Sequence, residues 1–211
     1  MAKGFGSGAK PLPAEFLEWQ VKLRAWTVQE RKGAPHVGVA PLVLVKQPGV
    51  EPGATAHSIV CGLLPREDQL ETKTKEFRAL YESASGEGSQ VLYDRGLAYL
   101  RRYYASTDDF DPVSVTTLTG EDSPLVKSLR ANPDCALVFH VFEIGTEAPG
   151  GAMRTQQLCC RAEVLSSGPV YDNVWWHNAL FHGFADGSVV IHFRHQRSFD
   201  TRFGQLEPLR E

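Results

Sequence analysis

No window of this chain approaches the roughly 20 apolar residues needed to cross a bilayer. The N-terminus, MAKGFGSGAKPLP, is small, basic and rich in Gly and Pro, and lacks the apolar run of a secretory signal. It reads as a flexible arm over residues 1–11. No CxxC spacing occurs among the four cysteines, Cys61, Cys135, Cys159 and Cys160, which argues against a zinc site. Cys159 and Cys160 are adjacent, so in a strand they point to opposite faces and are poorly placed to bond to each other. Reduced, half-buried thiols in a cytoplasmic protein are the expectation. The formal net charge is only -3, so nothing calls for a nucleic acid or an acidic membrane as partner. A Ser-His-Asp order, a Gly-rich phosphate loop, clustered carboxylates and an internal repeat are all missing.

What is present is ordinary globular composition, 42% apolar and 22% charged over 211 residues. That length suits a single domain, taken as residues 12–211, with one substantial core. A short helix is expected over 13–22, then a hairpin whose arms span 23–28 and 36–46 about a Lys32-Gly33 turn. A loop follows over 47–55 and a strand over 57–64. Residues 66–81 and 94–104 carry apolar residues at helical spacing, separated by a flexible linker at 83–89. These helices fall in a stretch, about 48–110, that looks like an insertion.

The most specific segment runs from Pro112 to Leu165. It predicts a strand over 113–118, a helix over 123–131, and strands over 135–143 and 153–165. Asp122 or Ser123 can cap the helix, Pro124 fits its first position, and Asn132-Pro133 stops it. A helix over 171–181 and a last strand, SVVIHFR, complete the chain. A hairpin-rich order with short turns argues for a mainly β fold, a six-stranded antiparallel split barrel with peripheral helices.

Hydroxyls next to a helix start bind phosphate well. Thr116, Thr117, Thr119 and Ser123 could form such a cradle, with Lys127 adding a charge. Equally, Thr favours strands and Ser caps helices. Arg154 could hold a ligand ring or phosphate, or sit solvated at a strand end. Gln156 or Gln157 could bond a ring edge, but only one of them can face a site. Of the seven histidines, His177 and His182 are five apart, off the spacing of two ligands on one helix face. Trp175, Trp176 and Phe181 form an aromatic cluster whose default role is packing. Arg101 and Arg102 beside Tyr103 and Tyr104 suggest an anion site or, more simply, a solvated helix face.

Two segments resemble the FMN-binding split-barrel superfamily typified by pyridoxamine 5′-phosphate oxidase. AWTVQERKGAPHVGVAPLV resembles its opening hairpin. TLTGEDSPLVKSLRANPDCALVFHV followed by RTQQLCCRAEVL resembles its strand, Ser-started helix, NP stop and paired strands. The resemblance covers residues 23–46 and 112–167. It implies a split barrel, a homodimer and FMN at the dimer interface, acting on a small-molecule substrate in an oxidoreductase. Thr119 and Ser123 match the family's phosphate-binding hydroxyls. Its Arg-Lys pair corresponds to Pro124 and Leu125 here, with Lys127 two residues on. Cofactor residues are therefore expected at Thr117, Thr119, Ser123 and Lys127 for the phosphate, and at Arg154 and Gln156 for the ring. The alternative is a non-catalytic regulatory protein on the same barrel, holding haem, another tetrapyrrole or a partner protein.

Overall fold

The computed structural model describes residues 9–14, 16–18, 20–21, 42–46, 54–59, 61–84, 86–142, 153–182, 187–202 and 205–208. Seven strands form one antiparallel sheet: β1 (Leu42–Lys46), β2 (Ala54–Ser58), β3 (Ser114–Gly120), β4 (Asp134–Phe142), β5 (Met153–Leu165), β6 (Ser188–Arg202) and β7 (Gln205–Pro208). The path β2-β1-β4-β5-β6-β3 is the six-stranded split barrel read from the sequence, and β7 adds to β6. β6 is the seam. One edge pairs with β5 along most of its length; the other pairs with β3 over its first half and with β7 at its end.

Alternation sorts the side chains. Val43, Val45, Val115, Leu137, Leu158, Cys160, Ala162, Val189, Ile191 and Phe193 lie in the barrel interior. On the other face of the sheet, Leu118, Leu165 and Val190 pack against Leu64, Leu70, Val170 and Val174. β6 is thus buried on both sides, which explains why SVVIHF reads as a continuous apolar run rather than an alternating one.

Four helices surround the sheet: α1 (Glu67–Ala84), α2 (Ser89–Tyr103), α3 (Pro124–Ala131) and α4 (Pro169–His182). Residues 14, 16–18, 20 and 21 add a helical segment near the N-terminus. α1 starts with Glu67 and Asp68, which answer its positive end, and buries Leu70, Phe77 and Ala84 at seven-residue spacing. Phe77 is fully buried, with its ring edge-on to Tyr99, Tyr103 and His177 at 5.3–5.4 Å. Asn173 of α4 donates to Thr74 of α1 at 3.0 Å.

Several boundaries move. The strand expected over 57–64 is found at Ala54–Ser58, paired with β1. Gly62 instead bridges Thr116 on the edge of β3 away from β6, and Pro65 bridges Phe110 ahead of that strand. That cover closes an edge that would otherwise offer unpaired amides. α2 starts at Ser89, inside the expected linker, because Gly88 takes φ 98° and turns the chain directly into the helix. The last strand runs eight residues past SVVIHFR to Arg202. The first hairpin arm, 23–28, and its turn lie outside the described residues. So do residues 1–8 of the arm, while Lys10 is tied to β6 by a 2.9 Å bond from its amide to the His195 carbonyl. Among the described residues no helix is long and apolar enough to cross a membrane.

Candidate functional site

The expected phosphate cradle is the turn from β3 into α3. Ser123 caps the helix: its hydroxyl accepts from the Val126 amide at 3.3 Å, and Pro124 takes the first position. The Ser123 amide donates to the Gly120 carbonyl at 3.0 Å, the Lys127 amide to the Ser123 carbonyl at 3.2 Å, and the Glu121 amide to the Gly187 carbonyl at 2.8 Å. Of the amides at the start of α3, that of Val126 is capped by Ser123, and Pro124 has none. Two exposed carboxylates, Glu121 and Asp122, precede it, and Glu121 is paired with Arg130 at 2.9 Å. Lys127 is exposed and makes no ion pair among the described residues.

Thr117 and Thr119 share the interior face of β3. Thr117 is buried opposite Ile191, and only Thr119, opposite Val189, approaches the surface. The Ser123 hydroxyl keeps its O–H to donate, but Glu121 and Asp122 match Lys127 and Arg130 in number, so the turn has no excess of positive charge to draw a phosphate dianion.

The expected ring site lies at the other end of the sheet. Gln156 sits in β5 between Phe139 of β4 and Asp200 of β6. It is 2% exposed, and among the described residues its Oε1 has no hydrogen-bond partner. Gln157 is half-buried on the opposite face, its amide 3.9 Å from the Cys159 sulfur. Arg154 occupies β5 opposite Val141, and its side chain lies outside the described residues.

The register keeps the two ends apart. Thr117 faces Ile191 on β6, whereas Gln156 faces Asp200. That is nine residues of strand, about 30 Å when extended. One chain does not bring the cradle and Gln156 into a single ligand-sized site.

Other chemistry-bearing residues were less visible in the sequence. His192 is buried in β6 and bonded through Nε2 to the Ser114 hydroxyl at 2.7 Å. Burial, with Arg194 nearby, lowers its pKa to about 4. Ser114 is wholly inaccessible, so the pair is structural and offers no nucleophile. His195 is engaged at both nitrogens, by the Lys10 carbonyl at 3.0 Å and the Ser198 hydroxyl at 2.6 Å. Cys135 and Cys160 face each other across β4 and β5, an arrangement that spacing alone did not disclose. Burial pushes the Cys135 thiol up to about 12 and the Cys160 thiol well above the ordinary range. Among the described residues no cluster of His, Cys, Asp or Glu could hold a metal ion.

A cleft of about 410 Å³ opens between α1 and α2, lined by Lys73, Glu76, Tyr99, Arg102, Tyr103 and Asp109 among others. Burial favours protonation of Glu76. Hydrogen bonds from Tyr99 and Lys73, with the charges of Lys73 and Arg102, outweigh it and hold the carboxyl below its ordinary pKa. Two cations there balance two carboxylates, so the cleft does not select an anion.

No protein-family model matches the chain, and no curated protein matches it. Solved structures similar to it include a putative pyridoxamine 5′-phosphate oxidase from Listeria innocua, at 11% identity and TM-score 0.43, covering 87% of this chain and 95% of that one. A protein of the pyridoxinephosphate oxidase family from Clostridium acetobutylicum is similar at 10% identity and TM-score 0.46, covering 94% and 96%. A haem-binding protein from Mycobacterium smegmatis is similar at 12% identity and TM-score 0.43, covering 89% of this chain and 56% of that one. The likeness is one of fold alone.

Proposed function

We propose that this chain is a ligand-binding split barrel that takes a planar, flavin-type heterocycle at the Gln156 end of its sheet. The observation that carries this reading is the Gln156 carbonyl oxygen, buried and, among the described residues, without a partner. A buried acceptor left unpaired costs about 1–3 kcal/mol. A ring N–H, as on a flavin, is the kind of donor that removes that cost. A bound flavin supplies electron or hydride transfer, which would make the chain an oxidoreductase. Because the register separates Gln156 from the start of α3, a homodimer is part of the proposal: a second copy would set its own α3 beside the ligand held at Gln156.

A tetrapyrrole finds less support, since His192 and His195 are buried and hydrogen-bonded within the sheet.

The test is the absorption spectrum of the purified protein, followed by titration of riboflavin and FMN monitored by flavin fluorescence. A flavin spectrum or saturable quenching supports the reading. Colourless protein that leaves both fluorescence signals unchanged overturns it, and a Soret band would favour the tetrapyrrole. Gln156→Leu should lose flavin binding while remaining as stable as the parent or slightly more so. A monomer by light scattering would remove the shared site.

A further inference from the structure

We infer that Ser198 is a second ligand contact beside Gln156, that its oxygen can only accept there, and that the site therefore prefers a ring edge with two N–H donors. For a flavin that is the reduced form rather than the oxidised one. The inference rests on the flavin-type reading above for the identity of the ring. Its own basis is the hydrogen bonding of His195.

A bulge in β6 brings these residues together. Cys160 pairs with His195 but Cys159 with Arg197, so Gln196 is the extra residue. Three positions apart, His195 and Ser198 would face opposite ways in a regular strand. The extra residue turns both toward the interior, His195 opposite Cys160 and Ser198 opposite Leu158. Gln156 lies two residues from Leu158 on the same face of β5. It and Ser198 are therefore diagonal neighbours, about 7–8 Å apart. Ser198 is half-buried.

The direction of each bond follows from the donors. The Lys10 carbonyl, 3.0 Å from His195 Nδ1, can only accept, so in the neutral imidazole the proton is on Nδ1. Nε2 is then an acceptor, and the hydrogen in its 2.6 Å bond to Ser198 belongs to the hydroxyl. Ser198 Oγ keeps only lone pairs for a ligand. Gln156 Oε1, without a partner among the described residues, offers lone pairs as well. An oxidised isoalloxazine has its ring N–H at N3 alone. Reduction by two electrons adds another at N5, across the C4 carbonyl. Two acceptors on neighbouring strands suit N3–H and N5–H together.

The experiment measures the two-electron midpoint potential of riboflavin, free and bound to the full chain, at mildly alkaline pH without oxygen. The bound flavin should be reduced at a potential about 30 mV or more above that of the free flavin, which is at least about ten-fold tighter binding of the reduced form. Ser198→Ala should lose most of that preference while holding oxidised riboflavin nearly as well as the parent. Ser198→Thr, which keeps the hydroxyl, should retain it. A bound potential at or below the free one overturns the inference, leaves the flavin reading intact and needs no variant to fold. A preference that survives Ser198→Ala in folded protein also overturns it. If riboflavin binds in neither redox state, the ring reading fails and the inference falls with it.

Discussion

Acidification should weaken the fold through His192. The imidazole is 1% exposed, bonded to Ser114, close to Arg194, and opposite Glu163 on β5. Its pKa falls from 6.5 in an unstructured chain to about 4 in the fold, first through burial and then through the Arg194 charge. Between those values the unfolded chain binds the proton and the native one does not. Stability is therefore full above 6.5 and falls as pH drops toward 4. At about 1.4 kcal/mol per pKa unit, the whole loss is about 3 kcal/mol. That is a large part of a typical margin of about 5–15 kcal/mol. Urea unfolding at several pH values between neutrality and about 4, on the parent and on His192→Gln, isolates the effect. The parent should lose about 3 kcal/mol more than the variant over that window. Parallel pH profiles for the two proteins would refute the reasoning, because a buried neutral histidine has to leave that difference.

Three further outcomes follow from local geometry. A methyl group at Gly62 would lie 2.8 Å from Thr116 Oγ1, so Gly62→Ala should cost about 1–3 kcal/mol in denaturant unfolding, much of it recovered in a Thr116→Ala background. Ser123→Ala removes the α3 cap and should lower stability by about 1 kcal/mol, seen as a lower melting temperature. The Cys135 and Cys160 thiols, held protonated by burial, should resist an aromatic disulfide reagent at mildly alkaline pH until the protein is unfolded; peptide mapping that finds either one modified in native protein would contradict this.

The segment from β3 to β5 was legible because its signals are local. Ser123, Pro124 and Asn132-Pro133 mark both ends of α3, and β5 runs over 153–165 as read. Elements fixed by distant contacts were not. Ala54–Ser58 is small and polar, with little strand preference of its own, and pairs because β1 lies beside it. In HSIVCGLL, Ile59, Cys61, Leu63 and Leu64 are apolar because they are buried, although only Gly62 of the stretch bridges β3. The second half of β6, from His195 to Arg202, lacks an apolar alternation and is held by β5 and β7. At the site, the sequence named Gln156 and Ser123 but not their relation. Strand register places them at opposite ends of the sheet, and register depends on pairing partners that no motif encodes. The capping role of Ser123 was legible, whereas its bond to Val126 and the Glu121–Arg130 pair needed the folded turn.

The most direct measurement is a crystal structure of the protein soaked with riboflavin. The account predicts a ring N–H within about 2.7–3.2 Å of Gln156 Oε1. A flavin bound elsewhere, or a Gln156 carbonyl satisfied by the protein itself, would contradict it.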